Sequence, residues 1–203
     1  MATEQRFVVH YPNYATCLDN FSVENKLSCH ACRHSAAARW WDHDVIPALV
    51  RPYMAYIRLL QRGQSHTDPP PIKCSCNCRG VLKQVTAVYM DHLEYIKLQI
   101  CPCAPAPLQL VQRGLFPCSP VYPALAVSLE MLEFVSTLFL HLAPNETAWS
   151  DALTTFLARQ GHVFEAQDSL CQRFTSALGQ FQILVRVVNA EVDKQIIIAR
   201  HEI

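Results

Sequence analysis

The sequence predicts an α+β chain, mostly α, in which a small cysteine-rich β-hairpin region packs with a helical bundle. Three observations predict it. Apolar residues after Leu125 recur at three- and four-residue steps, the period of an amphipathic helix. The stretch from Val81 to Ile100 is rich in β-branched residues around an Asp91-His92 midpoint. Cysteine is concentrated on one side of the chain: eight of the ten precede residue 114.

In chain order, His34–Gln61 reads as a helix carrying Trp40 and Trp41, with Pro47 and Pro52 as the places where it would break. Gln64–Ile72, containing Pro69-Pro70-Pro71, reads as an exposed linker. Val81, Val85, Val88 and Ile96 fit a helix as well as a hairpin, and the β-branched content favours the hairpin. A helix opening at Pro123 is expected next, with Leu125, Leu129, Leu132, Val135, Phe139 and Leu142 on one face. Pro144 closes it and Asn145 offers the next N-cap. Trp149, Leu153, Phe156 and Leu157 line a second helix ended by Gly161. Asp168 or Ser169 would cap a third, with Leu170, Phe174, Leu178, Phe181, Val185, Val188 and Val192 facing inward. The resulting division is 1–72 for an N-terminal helical segment, 73–114 for the cysteine-cluster hairpin and 115–203 for the bundle. Residues 73–195 are expected to fold as one unit with part of 1–72.

Composition narrows the function. The chain has 203 residues, 51% hydrophobic and 17% charged, which excludes a disordered tail. Seventeen basic residues balance seventeen acidic ones, against a protein whose main business is coating nucleic acid or anionic membrane. The balance hides an asymmetry: 12 basic and 8 acidic residues up to Gly114 leave +4, and 5 basic and 9 acidic after it leave −4. No apolar run of signal-peptide length starts the sequence, and Glu130 and Glu133 interrupt the richest later run, Tyr122–Leu142. A reducing environment is expected, nuclear or cytoplasmic, where disulfides do not persist. The cysteines then need another reason.

Cys74-Ser75-Cys76-Asn77-Cys78 is followed by Cys101-Pro102-Cys103. In an extended segment, residues i and i+2 share a face, so each cluster would present its thiols together. Thiolate and imidazole are the preferred ligands of tetrahedral Zn²⁺. With a hairpin turning near Asp91, Cys101 would fall opposite residue 81 or 82 and both clusters would meet at the open mouth. Cys29-His30-Ala31-Cys32 adds a C-x-x-C with zinc-knuckle spacing. The candidate ligands are Cys74, Cys76, Cys78, Cys101, Cys103, Cys29 and Cys32, in one site or two, with His30 or His34 as a further donor. Cys118 and Cys171 stand alone and read as core residues, and the scattered histidines read as surface or packing. Neither G-x-S-x-G nor H-E-x-x-H occurs, and no base or orienting pair marks a nucleophile. An enzyme is not expected, nor a small-molecule substrate or a membrane partner.

The stretch from Lys73 to about Asp193 resembles the cysteine cluster domain associated with KDZ (Kyakuja–Dileera–Zisupton) transposases. The resemblance is carried by Cys74-Ser75-Cys76-Asn77-Cys78-Arg79, Tyr89-Met90-Asp91-His92-Leu93 and Cys101-Pro102-Cys103-Ala104-Pro105. Gly114-Leu115-Phe116-Pro117-Cys118-Ser119-Pro120, Ala126-Val127-Ser128-Leu129, Met131-Leu132, Ala143-Pro144-Asn145 and Asp168–Glu191 add to it. The resemblance implies a zinc-binding, non-catalytic accessory region of a DDE transposase, with a part in binding DNA or organising the transposase. The family's RNase H-like catalytic domain would lie downstream, so a chain ending at Ile203 looks like a fragment or a truncated relative. Leu170-Cys171-Gln172-Arg173-Phe174 carries two fewer positive charges than the family's Leu-Arg-Arg-Arg-Phe. Contact with DNA would then fall to the basic half, through Arg33, Arg39, Arg79 and Lys83, with Arg51, Arg58 and Arg62 as further phosphate contacts. A net of +4 predicts weak, salt-sensitive binding. The alternative partner is another part of a transposase or a second protein, with DNA never touched.

Overall fold

The computed structural model describes residues 37–63, 80–101, 103–164 and 170–201. Residues 37–40 are helical and run on through a π-helical turn, Trp41–Val45, into α1, Ile46–Gln61. Among the described residues the expected breaks at Pro47 and Pro52 do not occur. Proline removes a donor and crowds the carbonyl one turn back. The wider π turn accommodates Pro47, with the Ile46 N–H reaching back five residues to the Trp41 carbonyl. Pro52 stays inside α1, whose buried residues Leu49, Tyr53 and Tyr56 flank it and hold the helix to the core.

The stretch from 81 to 100 is a hairpin, as the β-branched content favours. β1, Val81–Val88, pairs antiparallel with β2, Leu93–Ile100, from Val81 opposite Ile100 to Val88 opposite Leu93. The turn is closed by the Tyr89 N–H donating to the His92 carbonyl at 3.0 Å. The two rings stack at 4.4 Å, and a 2.7 Å bond between His92 Nδ1 and Asp91 Oδ1 holds the Asp91 carboxyl below its usual range. Helix α2, Ala106–Gln112, follows, then two short strands, β3, Leu115–Pro117, and β4, Leu125–Ser128. The sheet order is β2-β1-β4-β3, with β4 parallel to β1 and antiparallel to β3. Strands from both sides of the compositional divide at residue 114 therefore share one sheet.

Leu125 was expected on a helix opening at Pro123; it lies in β4. Leu125, Ala126, Val127 and Ser128 are all buried because the strand is central and covered on both faces. The helix α3, Leu129–His141, begins only after Ser128, whose Oγ accepts from the Met131 N–H at 3.4 Å. The last 89 residues, from 115 to 203, are thus not purely helical: they also donate half the sheet. Helix α4, Glu146–Arg159, starts as expected at Asn145, whose Oδ1 accepts from the Ala148 N–H at 2.9 Å. It ends before Gly161 at φ +87°, in the left-handed conformation favourable to glycine. Helix α5, Leu170–His201, completes the described fold; its capping candidates Asp168 and Ser169 lie outside the described residues, as does the Gln64–Ile72 linker.

The two faces of the sheet carry separate cores. On one, Val85, Ala87, Leu98 and Ile100 pack with Ala106 and Leu110 of α2. On the other, Val88, Phe116, Leu125 and Val127 join the larger core formed by α1, α3, α4 and α5. Aromatic rings knit this side together. Trp41 stacks on Phe116 at 5.7 Å, Phe116 meets Phe181 edge-on at 5.9 Å, and Tyr53 meets Phe181 edge-on at 5.8 Å. Burial raises the Tyr53 hydroxyl pKa, and the negative charge of Glu133 on α3 adds to the rise. No helix among the described residues is long and apolar enough to cross a membrane.

Candidate metal centre

Of the seven predicted ligands, the structure describes Cys101 and Cys103. Cys74, Cys76, Cys78, Cys29 and Cys32 lie outside the described residues, as do Arg33 and Arg79. The second cluster is not on an extended segment, as i, i+2 spacing suggests, but on a tight turn that follows β2. The Ala104 N–H donates to the Cys101 carbonyl at 3.0 Å, and the Cys101 N–H donates to the Ala104 carbonyl at 3.4 Å. The cause is local: a proline at the second of four positions predisposes the chain to turn. Cys101 is buried at 5% exposure and Cys103 is half-buried.

A residue not singled out in the sequence holds this turn. Gln109 is the one polar residue in Ala106-Pro107-Leu108-Gln109-Leu110-Val111, and it is buried. Its Nε2 donates to the Ala104 carbonyl at 2.7 Å and to the Gln99 carbonyl at 2.8 Å. One amide thereby ties the turn to the outer edge of β2. The Gln109 carbonyl in turn accepts from Arg113 Nη1 at 3.0 Å. A polar side chain inside an otherwise apolar helix was the available signal, since buried amides are kept where they have partners.

The hairpin register brings the other end of the constellation near. The ladder ends at Val81 opposite Ile100, so the same register carried one step further would bring Gly80 opposite Cys101, one residue from the position expected, because the turn centres between Met90 and Asp91. The approach is close: a Cβ on Gly80 would stand 2.8 Å from Gln99 Cγ and 3.3 Å from the Ile100 carbonyl. Cys78 is two residues upstream, so connectivity alone keeps its Cα within about 7 Å of that of Gly80. Thiolates converge on zinc at about 2.3 Å each. The donor chemistry and the tether therefore suit a metal at the hairpin mouth. Among the described residues no three His, Cys, Asp or Glu side chains gather as a metal site; of the candidate ligands the structure describes Cys101 and Cys103.

The remaining cysteines and cations are dispersed. Cys118 packs against the larger core, and burial pushes its thiol up to about 12, with Arg173 pulling weakly the other way. Cys171 is half-buried, its Sγ donating to Thr147 Oγ1 at 3.7 Å. Lys83 is exposed on β1 with its Nζ 5.5 Å from the centre of the Tyr122 ring, and Arg39 is exposed on residues 37–40.

No curated protein and no solved structure matches the chain. A family description does: the CxC1-like cysteine cluster associated with KDZ transposases matches residues 61–162, about half of the 203 residues. The matched segment contains both Cys74–Cys78 and Cys101–Cys103, the whole sheet, and helices α2 to α4. With the paired clusters flanking the hairpin and the match extending over half its length, the chain belongs to the CxC1-like cysteine cluster family associated with KDZ transposases.

Proposed function

We propose that the chain is a non-catalytic, zinc-ordered accessory module of a transposase-like protein, serving DNA recognition or transposase assembly. The observation that carries this reading is the hairpin register, whose ladder ends at Val81 opposite Ile100, three residues after Cys78 in sequence and one before Cys101. Cys101 and Cys103 on their braced turn would hold the metal together with thiols of Cys74, Cys76 and Cys78, and Cys29 with Cys32 would supply either a second site or the balance of the first. Zinc here supplies cross-linking, not reaction chemistry: it would order the proline-rich, cysteine-bearing segments of the first half. Gln109 orients the turn, as a partner behind the ligands does in metal sites.

The test is metal stoichiometry of the purified full chain, repeated for Cys76→Ser, Cys101→Ser and Cys29→Ser. Loss of zinc in the first two with retention in the third places one site in the central clusters. A chain that binds no zinc under reducing conditions refutes the reading. A second reading, a protein-interaction module that never touches DNA, is favoured by α5. From Asn189 to Arg200 this helix has no buried residue and exposes Ile196, Ile197 and Ile198 at 44%, 54% and 51%. Absence of any salt-dependent affinity for DNA would leave that reading standing.

A further inference from the structure

We infer that the outer face of α1 and its C-cap form a binding surface for the phosphate backbone of duplex DNA, built from Arg51 and Arg58 of the helix and Arg62 at its C-cap. All three side chains are exposed. At about 100° per residue, Arg58 and Arg62 fall within about 20° of Arg51 around the helix. The same arithmetic sets the buried Leu49, Tyr53 and Tyr56 on the opposite side, at about 140° to 200°. The helix that anchors the larger core with one face thus presents a single file of guanidinium groups with the other. At about 1.5 Å per residue, the file is roughly 16 Å long.

The file is not a solvated face of mixed charge. From Ile46 to Arg62 the sequence contains no Asp or Glu. The nearest acids upstream, Asp42 and Asp44, sit in the π turn, at least about 10 Å further along the axis from Arg51. Among the described residues, the ion pairs are His92 with Asp91 and Lys194 with Glu191, and neither involves these arginines. An acid three or four residues away would pair with such a cation on a helix surface; none of the three arginines has one in the sequence. A straight row of like charges matches a straight row of opposite ones, and duplex DNA offers a charge about every 3.4 Å per strand. Guanidinium is also the side chain that bonds phosphate through two N–H groups. Arg51 and Arg58 lie upstream of the segment matched by the family, so this surface is additional to the cysteine cluster. The choice of DNA as partner rests on the transposase-associated reading; the geometry of the file does not.

The test is fluorescence anisotropy of a mixed-sequence 20-base-pair duplex titrated with the full chain between 50 and 200 mM NaCl. Three phosphate contacts predict a log–log slope of about −2.7, a loss of roughly 40-fold in affinity across that range. Each single Arg→Gln change makes the slope shallower by about 0.9, and the triple Gln variant by about 2.7. The triple Lys variant retains the charge and the slope. Zinc content and unfolding midpoint stay at wild-type values in all of them, so failure of this surface is distinct from failure of the metal site. A triple Gln variant with the wild-type slope, a wild-type chain with no affinity at 50 mM salt, or equal affinity and slope for polyglutamate would each overturn the inference.

Discussion

Replacing Gln109 with leucine removes two hydrogen bonds with nearly no change in volume. The amide's bonds to the Ala104 and Gln99 carbonyls, at 2.7 and 2.8 Å, are short and formed by a side chain only 5% exposed. A typical bond of this kind contributes about 1 kcal/mol net, and a buried acceptor left without a donor costs about 1–3 kcal/mol. The two acceptors do not lose equally. The Ala104 carbonyl keeps the Cys101 N–H at 3.4 Å, whereas the Gln99 carbonyl faces the outer edge of β2 and loses its donor. The sum is about 2–4 kcal/mol, or a fall of roughly 1–2 M in urea midpoint at about 2 kcal/mol per molar. Gln109→Glu destabilises at least as much, because it turns a carboxylate toward two carbonyl oxygens. Urea unfolding followed by far-ultraviolet dichroism measures the midpoint, and competition with a zinc chelator measures whether the Cys101–Ala104 turn still presents its thiols. A midpoint within 0.3 M (roughly 0.6 kcal/mol) of wild type would refute the bracing role.

Two further predictions come from the backbone and from buried titratable groups. Gly114 has φ +74° and its added Cβ would stand 3.0 Å from the Tyr56 ring, so Gly114→Ala combines left-handed strain with overpacking and costs about 2–4 kcal/mol. Gly63 at φ +64° has open space around it, so Gly63→Ala costs only about 1 kcal/mol; equal melting-temperature losses would disprove the Tyr56 contact. Burial lifts Cys118 from 9.0 and Tyr56 from 10.0 to about 12 each, so the unfolded chain sheds these protons first. Between about pH 9 and 12 the native state therefore holds protons the unfolded state has lost, and stability falls as pH rises, by at most about 1.4 kcal/mol per unit per group. Cys118→Ala flattens the onset near pH 9; an unchanged slope between pH 9 and 10 would refute it.

The readable parts of the chain are those where local pattern and final burial coincide. Asn145 and Gly161 bound α4 because capping chemistry acts within one turn. The face of α5 is readable through Phe174, Leu178 and Phe181, each at most 1% exposed, and stops being readable at Val192, where the stripe continues but the core does not. The hairpin needed only β-branched content and a turn. What was hidden depended on distant partners. Leu125-Ala126-Val127 is apolar without alternation, because β1 and β3 flank it and helices cover both faces; such a run fits a helix equally well until its neighbours are known.

The site divides the same way. Sequence alone determined the donor chemistry: two thiol clusters at the two ends of one hairpin, basic residues before residue 114, and membership in a cysteine-cluster family, since these are properties of residue type and order. Tertiary structure decided where that chemistry sits. It ended the hairpin ladder at Val81 opposite Ile100, supplied Gln109 from a following helix, and left the arginine-bearing side of α1 outside the core. The reason is that pairing register and helix rotation are fixed by which faces the core buries, a property of the whole packing that no short window of sequence contains.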